Sequence, residues 1–178
     1  LGGGYPMLTA AWFQASHPEI KARFLNRGIS GNTIKDLQAR WEADCTALKP
    51  DWVSILIGIN DCWRRYTGGP VTSPEAFEEG YRAILEPVRR AGAGIVLLEP
   101  FVLHNPPDRA SWREDLDPKI GVVRKLAGEY SAGLVPLDSL FREAGRKREP
   151  SFWAQDGVHP GMAGHALISQ AWLRAVGA

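Results

Sequence analysis

WVSILIGIND, residues 52–61, is a nearly unbroken apolar run from Trp52 to Ile57 that stops at Gly58 and passes directly into Asn60 and Asp61. A short run that is apolar at successive positions reads as a strand buried on both faces. Polar side chains just beyond such a strand are costly unless they have partners. Outward from it, residues 20–26 alternate apolar and polar and read as another strand, as do 94–98 and the short run 133–137. Helical patterns fill the intervals. Residues 5–16 place Leu8, Ala11, Trp12 and Ala15 on one face, and 33–48 present Ile34, Leu37, Trp41 and Cys45 as a stripe.

A long helix follows Ser73, a good N-cap, with Pro74 at its first position and Arg89 and Arg90 near its end. Further helices are expected at 118–130, from a cap at Asp138 to Arg146, and over 161–176, with a proline-rich loop at 104–112. Trp12, Trp41, Trp153 and Trp172 read as core. Alternating strands and helices predict a three-layer α/β fold, a parallel sheet with helices on both faces, in which functional residues gather at the carboxyl ends of the strands.

The 178 residues fit one domain, 1–178, and a net charge of +1 without a dense basic run gives no electrostatic support for nucleic-acid binding. The longest apolar stretch is too short to span a membrane. Cys45 and Cys62 read as free thiols, no cluster has metal-ligand spacing, and no cofactor motif occurs, so neither metal nor cofactor is expected. The pattern leaves a homo-oligomer open. With no export signal visible, the cytoplasm is the default compartment.

Three segments carry chemistry. In DGVHP (156–160) the Asp156–His159 spacing lets a carboxylate meet one imidazole nitrogen and leaves the other as a base, although an isolated Asp-x-x-His is more often a capped turn. In GIND (58–61) the Asn60 amide can donate to a developing oxyanion, or Asn60 and Asp61 can simply form a turn and helix cap. In NRGISGNT (26–33) Gly31 can bring a backbone N–H close to an acyl oxygen, or serve as a turn glycine before a helix.

In this order, at these places, the three segments resemble the glycine, G-x-N-D and D-x-x-H-P blocks of the SGNH (GDSL-like) hydrolases, and the likeness covers nearly the whole chain. It implies a flavodoxin-like parallel sheet and ester hydrolysis by a Ser-His-Asp mechanism. His159 is then base and acid, Asp156 its orienting carboxylate, and Gly31 and Asn60 the oxyanion hole. Asp61, Trp63, Arg64 and Phe101 are expected to contact substrate, a small ester.

The family's first block, Gly-Asp-Ser, is absent, and none of the nine serines stands in such a context. The resemblance therefore implies that the nucleophile and the central first strand, between 20–26 and 52–57, lie upstream of Leu1. GIND followed by Cys62-Trp63-Arg64 most resembles carbohydrate O-acetyl esterases such as acetylxylan esterases. A lysophospholipase or acyl thioesterase is the alternative within the same chemistry, and a non-catalytic sugar-binding relative lies outside it.

Overall fold

Three parallel strands, β1 (Trp52–Leu56), β2 (Gly94–Leu98) and β3 (Gly133–Val135), form one sheet in that order in the computed structural model, which describes residues 1–178. Trp52 pairs with Gly94 and Leu56 with Leu98, while Val96 to Leu98 pair with Gly133 to Val135. The helices are α1 (Tyr5–Ser16), α2 (Ile34–Asp44), α3 (Ile59–Tyr66), α4 (Pro74–Arg90), α5 (Arg113–Glu129), α6 (Leu137–Lys147), α7 (Pro150–Trp153) and α8 (Met162–Val176).

The period-two pleat of the middle strand sorts the layers. Ile95 and Leu97, with Val53 and Ile55 of β1, pack against Phe77, Tyr81 and Ile84 of α4 and Val123 and Leu126 of α5. Val96 and Leu98 turn to the opposite face, where Phe141 of α6 and Ile168 of α8 cover them. Helix α1 lies on α8, joined by a Thr9–Ser169 hydroxyl contact of 3.2 Å and by the Tyr5 N–H donating to His165 Nδ1 at 3.2 Å. Both cysteines are free and buried.

The expected helix over 5–16 and strand over 94–98 appear with those bounds, and Ser73 caps α4 by accepting from the Ala76 N–H at 3.2 Å. Several expectations need correction. Residues 20–26 run without ladder partners, because no strand lies beside them; Phe24 rests against Phe13 of α1 instead. Strand β1 is buried on one face only, with Trp52 63% exposed and Ser54 also exposed. Trp12 is 61% exposed rather than core.

Asp138 does not cap α6. It is buried, with its N–H donating to Glu99 and its carboxylate paired with Arg113. The helix expected from residue 118 begins at Arg113 and carries Pro118 inside it, at the sixth position, where the missing N–H removes one i→i−4 bond. The second half of the 33–48 pattern tightens into a 3₁₀ turn at Thr46–Leu48. Helices α3 and α7 were not anticipated.

The close seating of α8 yields a test. A Cβ on Gly164 would collide with the Trp153 carbonyl oxygen and crowd Pro160. Alanine would gain about 1 kcal/mol of helix propensity, but overpacking against backbone costs about 1–3 kcal/mol. Gly164→Ala should therefore lower unfolding free energy by up to about 2 kcal/mol in denaturant titrations. A stabilised variant would show that α8 is loosely seated.

Candidate active site

Chain reversals at the carboxyl ends of the strands build the site. The chain leaves β1 through Gly58, at φ +124°, and enters α3 directly, so Asn60 and Asp61 lie in that helix's first turn. A Cβ at Gly58 would stand 2.9 Å from the Phe77 ring, so glycine is required by both conformation and space. Gly157, at φ +84°, has the same double constraint, since a Cβ would lie 2.5 Å from the carbonyl oxygens of Leu103 and Asn105.

Around Gly157 the DGVHP turn closes on itself. Asp156 Oδ2 lies 2.6 Å from His159 Nδ1, and Oδ1 accepts from the backbone N–H groups of His159 (2.9 Å) and Val158 (3.2 Å). Burial alone would raise the Asp156 carboxyl. The hydrogen bonds from the His159 ring and from these two N–H groups outweigh it and hold the group below its ordinary value. The carboxylate stays ionised at neutral pH and fixes the imidazole through Nδ1, while Nε2 has no partner within the chain. The His159 side chain is 67% exposed. The Trp63 ring stands 5.7 Å from it, and Arg109 stacks on both Trp63 and Trp112, at 5.1 and 4.0 Å.

Opposite, the loop bearing Gly31 is pinned from several sides. Arg40 donates to Asn32 Oδ1 at 2.9 Å and to the Arg27 carbonyl at 2.8 Å, and Arg64 donates to the Gly31 carbonyl at 3.2 Å. Asn60 Nδ2 donates to the Asn32 carbonyl at 3.0 Å, which leaves one amide hydrogen without a partner in the chain. Gly31, at φ +82°, also keeps its N–H free. Ser30, Gly31, Asn60, Trp63, Phe101 and His159 line one pocket of about 190 Å³.

Two expected substrate contacts are placed elsewhere. Asp61 is 1% exposed and lies outside the pocket lining; its carboxylate accepts from the Ile34 N–H at 3.1 and 3.3 Å, holding the start of α2 against α3. Arg64 also lies outside the lining and braces the Gly31 loop, with Asp36 3.5 Å away. His165 serves the α1–α8 contact and His104 lies on the exposed loop before the 3₁₀ turn. Sequence reasoning missed Arg40 and Arg109. Neither carries a local signal, because each acts by reaching a distant loop.

An imidazole anchored on a carboxylate, facing free N–H donors across a small pocket at the strand ends, is the kind of site that acyl-transfer hydrolases use. The sequence model of the GDSL-like lipase/acylhydrolase family matches residues 1–167. An acetylxylan esterase of Geobacillus stearothermophilus is 38% identical over 181 residues, covering 99% of this chain and 82% of that one. Its crystal structure superposes with a TM-score of 0.91 at 37% identity, covering 100% and 83% of the two chains. Catalytic mutants of that enzyme, one replacing a histidine and one a serine by alanine, superpose equally well. A protein from Parabacteroides merdae described as a GDSL-like lipase gives a TM-score of 0.94 at 36% identity, covering 99% and 83%. Thioesterase 1/protease 1/lysophospholipase L1 of Escherichia coli is 28% identical, covering 97% and 77%. The chain belongs to the GDSL-like lipase/acylhydrolase family and is a carboxylic ester hydrolase.

Asp61 gives a pH test of the scaffold. Burial is the main cause that moves its carboxyl from 3.8 to about 6, while hydrogen bonds from the Ile34 N–H and the Thr72 hydroxyl pull the other way. The folded chain thus holds this proton more tightly than the unfolded chain. The contribution to stability is full below about pH 4 and is lost as pH rises through about 6. Asp61→Asn keeps an acceptor for Ile34 but cannot ionise. Relative to the parent, its unfolding free energy should rise by about 2–3 kcal/mol between pH 4 and pH 7. Urea unfolding at stepped pH would measure this, and parallel curves for the two proteins would reject the assignment.

Proposed function

We propose that the protein removes small acyl groups, acetyl foremost, from carbohydrate hydroxyls by a serine-histidine-aspartate mechanism, and that residues 1–178 belong to one domain. The observation that carries this reading is the shared pocket: His159, tied to Asp156, opens on the same 190 Å³ space as the free N–H of Gly31 and the free amide hydrogen of Asn60. His159 takes the proton of a serine hydroxyl as it attacks the ester carbonyl, and Asp156 stabilises the imidazolium. Gly31 and Asn60 receive the negative charge on the former carbonyl oxygen. His159 then protonates the departing alkoxide, and a water activated by the same imidazole frees the acid from the acyl-enzyme.

Ser30 lines the pocket but makes no hydrogen bond to His159. We assign the nucleophile to a serine outside residues 1–178, carried by a strand that pairs with the open edge of β1. Three observations support this. That edge has no partner, Trp52 on β1 and Ile20 and Leu25 of the unpaired 20–26 segment are exposed, and replacement of a serine by alanine in the Geobacillus enzyme is described as a catalytic mutant. The acetyl and carbohydrate preferences rest on the likeness to that acetylxylan esterase.

Full-length enzyme assayed on 4-nitrophenyl esters of increasing acyl length should prefer acetyl, since each unaccommodated methylene forgoes about 0.8 kcal/mol. A preference for chains beyond about eight carbons would instead favour the thioesterase or lysophospholipase chemistry of the Escherichia coli relative. His159→Ala should lower kcat by about 10⁴-fold or more while thermal unfolding stays near that of the parent, because Asp156 is its only side-chain hydrogen-bond partner. A fluorophosphonate should label one serine of the full-length protein; no labelling would favour a sugar-binding relative without catalysis.

A further inference from the structure

The Arg109 side chain is 15% exposed, although its one carboxylate neighbour, Asp108 at 3.4 Å, stands 67% exposed in solvent. Withdrawing a guanidinium from water costs free energy unless partners replace its hydration. Here the partners are two indole rings and a carbonyl. Arg109 Cζ lies 4.0 Å from the Trp112 ring centroid and 5.1 Å from that of Trp63, both within cation–π range. Its Nε donates to the Asp156 carbonyl oxygen at 3.5 Å.

These partners belong to three parts of the chain. Trp112 ends the 3₁₀ turn Pro107–Trp112 that carries Arg109 itself, Trp63 belongs to α3, and Asp156 opens the DGVHP turn. Helix α3 also carries Asn60, one turn ahead of Trp63. Arg109 therefore touches both the helix that brings the Asn60 amide and the turn that brings the His159 imidazole.

We propose that Arg109 is a positioning residue for ester hydrolysis, fixing the separation and tilt of the His159 ring relative to Asn60. This role rests on the serine-histidine-aspartate reading above. In that chemistry the imidazole must stay within reach of the serine hydroxyl while the carbonyl oxygen stays within reach of the amide donor. A misplacement of about 1 Å costs about 100-fold in rate. The Asp156 carboxylate ties His159 to its own turn, but nothing in that bond ties the turn to α3. The imidazole meets α3 only through the Trp63 ring, at 5.7 Å and tilted by 57°. Arg109 adds a second tie, from the back of Asp156 to the same indole. Asp156 is thus used at both ends: its carboxylate orients the base, and its carbonyl is held by the guanidinium.

The residue type suits the task. A planar guanidinium lies over aromatic rings while its N–H groups donate sideways, whereas a lysine ammonium offers a point charge without a flat surface. Arg109 lies outside the lining of the pocket that holds Gly31, Asn60 and His159, so it acts through its neighbours and not on the substrate.

Full-length Arg109→Ala and Arg109→Lys enzymes on 4-nitrophenyl acetate test this, with rates expressed per serine titrated by a fluorophosphonate. Arg109→Ala should lower kcat by about 10- to 100-fold. KM should stay within about twofold of the parent, because His159 serves both acylation and deacylation and slowing both equally leaves KM in place. The rate of fluorophosphonate labelling should fall by a similar factor, since it needs the same base. Arg109→Lys keeps the charge and a donor but should not restore the parent rate; if the alanine variant fails to fold, the lysine variant carries the same readings. Parent-like kcat per titrated serine in either variant, or a raised KM with kcat unchanged, overturns the positioning role and leaves the mechanism standing. A parent enzyme that neither turns over the ester nor labels removes the mechanism and this role together.

Discussion

A buried carboxylate sets the geometry at the strand ends. Asp61 sits at the start of α3 and accepts the backbone N–H of Ile34 at the start of α2. That N–H is among the unpaired donors at a helix N-terminus. One interaction thus satisfies an orphan donor, anchors α2, and joins two chain reversals that are 27 residues apart. Asn60, the neighbouring residue, adds a second tie by donating to Asn32 in the Gly31 loop. Desolvation makes this anchor costly, as the elevated Asp61 carboxyl shows. The scaffold gives up stability there to hold two backbone segments in register.

The turn that carries Asp156 and His159 is held differently. The Asp156 carboxylate draws all its partners from its own loop, while the Asp156 carbonyl accepts from Arg109 at 3.5 Å; Gly157 lets that loop lie flat on the Leu103 and Asn105 carbonyls, with Leu103 donating back to the Gly157 carbonyl at 2.8 Å. What the turn cannot fix internally, the aromatic stack supplies: Tyr66 lies on Trp112, Arg109 on Trp112 and Trp63, and Trp63 faces the imidazole. The proposed oxyanion donors are positioned by long-range hydrogen bonds and the proposed base by a local turn, so the two halves of the site depend on different parts of the fold.

This division explains what was legible in the sequence. Asp156 and His159 lie three residues apart, so their contact follows from local geometry and shows in the spacing. Strand β2, apolar at nearly every position and central in the sheet, also reads directly. Strand β1 has nearly the same composition but lies at an edge, where neighbours rather than pattern decide burial, so Trp52 ends up exposed. Residues 20–26 alternate like a strand, yet alternation yields a strand only where a ladder partner exists. Asp61 looked like a substrate contact because it follows a strand end, but the chain turns into α3 there and the side chain is drawn inward to Ile34. Arg40 and Arg109 were illegible as site residues, and Arg64 was read as a substrate contact instead of a brace, because their hydrogen-bond partners lie many residues away.

A strand carrying the proposed nucleophile would also close the open edge of β1. Strand β1 ends beside the pocket: Leu56 and Ile57 line it together with Gly31, Asn60 and His159. A chain pairing in parallel with that edge would run about 5 Å from β1 and emerge at the same rim, where a residue at its carboxyl end can reach both the free Nε2 of His159 and an ester carbonyl held by the oxyanion donors. The same strand would cover exposed Trp52 and give residues 20–26 the ladder partner they lack. A nucleophile from a flexible surface segment would leave the edge and its apolar neighbours in water, a state that invites edge-to-edge association. The unpaired backbone, the exposed apolar surface and the unpartnered imidazole nitrogen therefore favour a strand over a loop as the carrier of the serine.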